Sequence, residues 1–180
     1  MAGQARRAAE GHRLSAPGVE LAALARRLQD RALALGVSVA TAESCTGGLV
    51  GHAITGIAGS SDYYRGGVIS YSNELKERLL DVPAAAIEHH GAVSAQVAVA
   101  MAEGARERLG ADYALSVTGV AGPAGGTLAK PAGLTYVAAA GPTGHEVRRH
   151  QWHGERAANK EYSAAAALEL MLDMLEAAAG

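Results

Sequence analysis

The sequence predicts an α/β fold: a three-layer α/β/α domain whose mixed, mainly parallel sheet ends in a C-terminal antiparallel hairpin. Three observations predict it. Short apolar runs alternate with segments of helical periodicity through residues 19–117, the pattern of βαβ units. Two apolar runs then flank Gly141-Pro142-Thr143-Gly144, which reads as a hairpin turn. Finally, 180 residues at 49% hydrophobic and 19% charged suit one folded core. With no phenylalanine and only 4% aromatics, that core must be built from Ala, Val, Leu and Ile, and 23 glycines favour close helix-on-sheet contacts.

The elements follow in order. Leu21, Leu24, Leu28 and Leu35 share one helical face, predicting an amphipathic helix over 19–35 that Gly36 stops. A strand over 37–42 leads into the turn Thr41-Ala42-Glu43-Ser44-Cys45-Thr46-Gly47-Gly48, and a helix over 46–58 follows. Residues 60–66 read as loop and 68–72 as strand. Asn73 is the expected cap of a short helix over 74–80, and Pro83 opens a further piece. Ser94 caps a helix over 95–109, which Gly110 ends. A strand over 112–117, a glycine-rich loop over 118–133, strands over 134–140 and 146–152, and a helix over 156–177 complete the domain. Residues 1–18 read as a flexible N-terminal extension and 19–180 as the domain itself.

Several function classes are excluded at this stage. A net charge of -2 and a pI near 6.4 argue against general nucleic-acid binding. No apolar run is long enough to span a bilayer, and residues 1–18 lack the apolar core of a secretory signal, so a cytoplasmic protein is expected. Cys45 is the single cysteine. Adjacent His89-His90 and the pair His150 and His153 lack metal-ligand spacing, so no metal and no cofactor are expected.

The turns at 43–48, 72–76 and 118–126 all follow predicted strands. In open α/β sheets ligands sit beyond the carboxyl ends of the strands, so these turns can converge on one site. The first turn aims backbone N–H groups and a helix start at one point, a seat for an anion or an oxyanion. Ser44 there has two readings. It is a helix cap, or it is a nucleophile outside the G-x-S-x-G pattern. Lys76, near the start of the next helix, also has two: a solvated surface lysine, or a base kept neutral by burial and by the positive helix end. A neutral lysine can deprotonate a serine hydroxyl. Tyr71 is placed to hydrogen-bond that pair, or to stack on a ligand ring. The 118–126 glycines allow close backbone approach to a ligand. Arg156 can clamp a phosphate or simply face solvent. Cys45 ranks below Ser44 as a nucleophile because no motif supplies a histidine partner.

Four ordered motifs carry a resemblance: Thr41-Ala42-Glu43-Ser44-Cys45-Thr46-Gly47-Gly48, Tyr71-Ser72-Asn73-Glu74-Leu75-Lys76, Gly91-Ala92-Val93-Ser94, and the loop from Thr118 to Gly126 with Lys130-Pro131. Together they resemble the C-terminal domain of the competence/damage-inducible protein CinA, also found as a stand-alone nicotinamide-nucleotide amidohydrolase, over residues 20–178. The resemblance implies hydrolysis of the carboxamide of nicotinamide mononucleotide (NMN) to nicotinic acid mononucleotide and ammonia, in pyridine-nucleotide salvage. It implies Ser44 as nucleophile, Lys76 as base and Tyr71 as assistant, with Thr118 and Arg156 as substrate-binding or supporting residues; Thr46, Gly47, Gly48 and Gly119, in the same two turns, are also expected to bind substrate. It also makes a homodimer the expected assembly and a small nucleotide the expected partner. The competing expectations are a non-catalytic nucleotide-binding or interaction module and an amidase for another pyridine amide.

Overall fold

The computed structural model describes residues 17–179. The segment expected as a flexible extension lies, for residues 1–16, outside the described residues. The helix predicted from residue 19 begins at Pro17 and runs to Leu35 (α1). Proline fits an opening position because its missing N–H would be unpaired there anyway.

Val39–Glu43 (β1), Leu49–Thr55 (α2) and Tyr64–Ile69 (β2) follow. Next come Asn73–Leu80 (α3), Ala84–His90 (α4) and Ala95–Arg108 (α5). Tyr113–Gly119 (β3), Leu134–Gly141 (β4), Gly144–Gln151 (β5) and Arg156–Ala177 (α6) complete the order. The sheet order is β2-β1-β3-β4-β5. β1 is parallel to both β2 and β3, while β3–β4 and β4–β5 are antiparallel. Four of the five strands therefore run the same way, and β4 alone is reversed. The α/β class and its closing hairpin are as expected.

Two layers of helix sandwich this sheet, and the two faces differ in bulk. Val39, Tyr113, Leu115, Val117 and Val137 point to the layer of α1, α2 and α6, where Leu24, Leu28, Leu168 and Met171 complete the larger core. Ala40, Ala42 and Ala114 point the other way, against Val97, Met101 and Ala105 of α5 and Leu80 at the end of α3. The period-two alternation of strands thus sorts large residues to one face and alanines to the other. The small face lets α5 lie close on the sheet. Among the described residues no helix is long and apolar enough to cross a membrane.

The boundaries that differ from expectation have local causes. β2 begins at Tyr64, within residues expected as loop. Its Gly66-Gly67 pair reads as a breaker, but both glycines serve the strand. Gly66 has φ +131°, beside the register shift between Val39 and Ala40. A side chain at Gly67 would overlap the Thr41 and Tyr64 hydroxyls, which bond each other at 2.7 Å. α2 starts at Leu49 instead of 46 because Gly47 and Gly48 both have positive φ and hold the chain in a turn.

The topology fixes where a site can form. From β1 the chain goes to β2 on one side and later to β3 on the other, with α2 and α5 on opposite faces. The carboxyl end of β1 is therefore the switch point of the sheet, where the two crossovers diverge and leave a crevice.

α3 reaches this crevice because it packs tightly on α5. An added Cβ at Gly104 would overlap the backbone carbonyl of Leu80, the last residue of α3. Gly104→Ala should therefore destabilise the fold by about 1–3 kcal/mol, the usual cost of overpacking, despite alanine's better helix propensity. Urea unfolding of the purified variant measures this, and an unchanged midpoint would contradict the close α3–α5 contact.

Candidate active site

Three strand ends deliver the site. Ser44 follows β1, Ser70 and Tyr71 follow β2, and the glycine-rich loop leaves β3 at Gly119. They enclose a cavity of about 270 Å³. Its walls include Ser44, Cys45, Tyr71, Asn73, Lys76, Ala92, Val93, Thr118, Gly119 and Arg156. Of the residues expected in the site, Ser44, Tyr71, Lys76, Thr118, Gly119 and Arg156 meet here. Thr46, Gly47 and Gly48 do not line this cavity: Thr46 is buried and Gly48 faces a separate depression beside β2. No acidic side chain is among the residues lining the cavity, whereas Lys76 and Arg156 both are.

Ser44 is not a helix cap. The residue capping α2 is Gly48, whose backbone is left-handed and has no side chain to offer. Glu43 does the capping instead. Its buried carboxylate accepts from the N–H groups of Gly48 at 3.0 Å, Val50 at 3.1 Å and Gly51 at 2.8 Å. An acidic group at a helix start is favourable, and these are the donors that a helix leaves unpaired there. The anion seat expected at this turn is therefore already filled by the chain's own carboxylate. Gly47 N–H is also engaged, with the Ser44 carbonyl at 3.1 Å. Only the N–H groups of Cys45 and Thr46 are left in the turn without a carbonyl or carboxylate acceptor among the described residues.

Freed from capping, Ser44 Oγ lies 3.0 Å from Lys76 Nζ. The serine backbone is pinned by its N–H to the Val117 carbonyl of β3 at 2.9 Å. Lys76 is 1% exposed. Its amine also donates to the carbonyls of Ser70 at 2.7 Å and Tyr71 at 3.4 Å. A neutral amine has two N–H donors and one lone pair. Two donors on two carbonyls leave the lone pair for the Ser44 hydroxyl, so the neutral form is fully satisfied in this geometry. Burial pushes the Lys76 pKa below its ordinary 10.5, with a small opposing contribution from Cys45.

The helix-end contribution to that shift is smaller than the sequence suggested. Ser72, not Asn73, caps α3: its extended backbone aims its hydroxyl at Leu75 N–H, 3.2 Å away. Lys76 is then the fourth residue of the helix, past the positions where the dipole acts most strongly.

Cys45 beside Ser44 is not set up as a nucleophile. Burial raises its thiol to about 11, despite nearby Lys76 and Lys160. Thiolate, the reactive form, is thus scarce at neutral pH.

Tyr71 is 62% exposed, and its backbone carbonyl, not its hydroxyl, is hydrogen-bonded to Lys76. Its hydroxyl accepts from Arg156 Nη2 at 3.3 Å, while Arg156 Nη1 donates to the Gly122 carbonyl at 3.0 Å. Arginine thus ties the tyrosine to the glycine-rich loop across the cavity mouth. That loop is further held by Asn159 Nδ2 on the Ala121 carbonyl at 2.9 Å and by Lys130 Nζ on the His90 carbonyl. Thr118 donates to the Ala92 carbonyl at 2.8 Å, bracing β3 against the segment before α5. Its hydroxyl lone pairs remain able to accept.

Four contributors escaped sequence reasoning. Asn73 and the Ala92-Val93 wall line the cavity, a role not read for them although both lie in motifs that stood out. Glu43 caps a helix from five residues before its cap position, a spacing that no local capping pattern predicts. The backbone carbonyls of Ser70 and Tyr71 carry no sequence signal at all.

Comparison with known proteins agrees with this architecture. The family model described as "CinA C-terminal domain" matches residues 21–175. A "CinA-like protein" of Salinibacter ruber is 52% identical over 142 residues, covering 79% of this chain and 34% of that protein. Another from Desulfotalea psychrophila is 52% identical over 136 residues, covering 76% of this chain and 33% of the relative. The chain thus spans about a third of the length of the curated relatives it matches. Among solved structures, competence/damage inducible protein CihA from Agrobacterium tumefaciens superposes with TM-score 0.81 at 41% identity, covering 87% of this chain and 96% of that one. A CinA superfamily protein from Escherichia coli gives TM-score 0.85 at 29% identity, covering 91% and 94%. With the family model spanning nearly the whole described domain and relatives above 50% identity, this chain belongs to the CinA C-terminal domain family.

Proposed function

We propose that the cavity hydrolyses a carboxamide by a Ser–Lys mechanism, with NMN as substrate and nicotinic acid mononucleotide and ammonia as products. The observation that carries this reading is the buried Lys76 amine, 3.0 Å from a serine hydroxyl with no capping role. A purely structural lysine gains nothing from such a place. Burying a charged amine costs several kcal/mol, and no carboxylate partner offsets it here.

In this mechanism Ser44 Oγ attacks the carboxamide carbon as its proton passes to Lys76 Nζ. The carbonyls of Ser70 and Tyr71 orient the amine and stabilise the ammonium that forms, the part an acidic residue plays in a triad. The tetrahedral oxyanion is received by the Cys45 and Thr46 N–H groups; one such donor is typically worth about 3 kcal/mol. The C–N bond then breaks, and ammonia leaves with the proton returned by Lys76. Water, deprotonated by the same amine, attacks the acyl ester, and Ser44 departs with the proton. The exposed Tyr71 ring can stack on the cationic pyridinium. Arg156 and the 118–126 backbone supply the anchor for the phosphate. Such a reaction belongs to pyridine-nucleotide salvage.

Incubating purified protein with NMN, nicotinamide riboside and nicotinamide, and measuring ammonia, tests the reading. Release from NMN with loss in both Ser44→Ala and Lys76→Ala is expected. Full activity in either variant would overturn the dyad, and no ammonia from any of the three would favour a binding module.

The pH dependence has a definite sign. The base acts when neutral, so kcat/KM should rise with pH along a limb governed by Lys76 and centred below the 10.5 of an ordinary lysine.

A stability measurement gives the complementary sign. Because the folded-state pKa is depressed, the folded protein carries a protonation penalty below it, and that penalty fades as pH rises toward the unfolded value of 10.5. Lys76→Met should therefore be inactive yet more stable than wild type at neutral pH, by roughly 1–4 kcal/mol if it packs well. The advantage should shrink as the pH of the unfolding experiment is raised toward that unfolded value. A Lys76→Met protein less stable at every pH would contradict the buried-base account.

A further inference from the structure

Asn159, the fourth residue of α6, is 3% exposed, and its amide bridges two segments of chain. Nδ2 donates to the Ala121 carbonyl at 2.9 Å, and Oδ1 accepts from the Gly154 N–H at 3.0 Å. Ala121 stands in the cavity wall, and Gly154 belongs to the short link between β5 and α6. Three residues earlier on the same helix face, Arg156 Nη1 donates to the carbonyl of Gly122, the next residue of the loop. Two successive loop carbonyls are thus tied to the start of α6.

An amide suits this bridge because it carries a donor and an acceptor side by side. An ionised carboxylate there would turn an oxygen toward the Ala121 carbonyl. An aliphatic side chain would leave a carbonyl and an N–H unpaired in the interior. The bridge also stands on a fixed base. The Asn159 carbonyl accepts from Ser163 Oγ at 2.7 Å, and Ser163 in turn accepts from Trp152 Nε1 at 3.0 Å. A satisfied buried network of this kind holds its members rigidly.

The tie has a consequence for a charged ligand. A carbonyl oxygen left free beside the cavity would repel an anion. Those of Ala121 and Gly122 are occupied instead. Farther along the loop, Ala124 and Gly125 line the cavity, and their N–H groups have no acceptor among the described residues. This stretch of wall therefore has its nearest acceptors satisfied and donors to spare, and no acidic side chain shares it. Backbone N–H groups in irregular turns are a common means of receiving anions.

We propose that Asn159 is a positioning residue of this site: by holding the Ala121 carbonyl against α6, it keeps the glycine-rich wall receptive to the anionic part of the substrate. The proposal rests on the reading of the cavity as a nucleotide site. Asn159 bonds neither Ser44 nor Lys76, so it acts on binding through the loop and leaves the chemical step alone.

The test is the split between KM and kcat for NMN in Asn159→Ala. KM should rise about tenfold, as loss of a well-made buried hydrogen bond implies, with kcat per folded protein within about threefold of wild type. A merely structural role would reduce the amount of active protein, which lowers kcat and leaves KM alone. A KM unchanged in Asn159→Ala therefore overturns the proposal. Should that variant not fold, Asn159→Asp keeps the shape and the acceptor for Gly154, loses the donor to Ala121 when ionised, and is read by the same criterion. If wild-type protein releases no ammonia from NMN, the catalytic reading fails on its own, and NMN titrated into ¹⁵N-labelled protein still reads Asn159. Wild-type amide shifts centred on residues 121–126, with weaker binding in the variant, uphold the role. Equal binding in the two proteins, or none in wild type, rejects it.

Discussion

The structure around the cavity depends on one contact, the buried Lys76 amine against Ser44 Oγ. An ammonium at that position would face a desolvation cost with no acid to offset it. A neutral amine escapes that cost, and the same two carbonyls and hydroxyl can satisfy its two donors and its lone pair. Burial therefore shifts Lys76 in the direction that the proposed general base requires. It does so without a third charged residue: the peptide groups after β2 hold the lysine, and their orientation follows from the sheet.

Everything else serves to bring that pair together. β1 lies between β2 and β3, so the chain segments leaving all three emerge side by side. Ser44 is anchored to β3 through Val117, and Lys76 to the end of β2 through Ser70. Glu43 absorbs the N–H groups at the start of α2 and thereby releases Ser44 from the role that a serine in such a turn usually takes. Gly104 lets α3 descend onto α5, so that a lysine on a short helix reaches the core. The resulting cavity has Arg156 in its wall and no acidic side chain lining it, a field suited to a small anionic ligand.

Much of this was legible in the chain. The alternation of strands and helices, the hairpin after 134 and the convergence of three turns follow from periodicity and turn residues. Ser44, Lys76, Tyr71, Thr118, Gly119 and Arg156 come together as their motifs implied. What stayed hidden depends on non-local packing. The Gly66-Gly67 pair looks like a loop until the Thr41 and Tyr64 hydroxyls explain the missing side chain. Asn73 has good capping chemistry, but Ser72 has the extended backbone that the cap position requires. Tyr71 offers its carbonyl to Lys76 and its phenol to Arg156, a split that residue type cannot reveal.

The most direct measurement is the titration of the Lys76 side-chain nitrogen itself, followed by ¹⁵N NMR of protein labelled at lysine and assigned with Lys76→Arg. The account predicts a Lys76 resonance that titrates below 10.5 and that moves when Ser44→Ala removes its partner hydroxyl. A Lys76 nitrogen that titrates at or above 10.5 would mean that the buried amine is an ammonium at working pH, and the base in this site would have to be sought elsewhere.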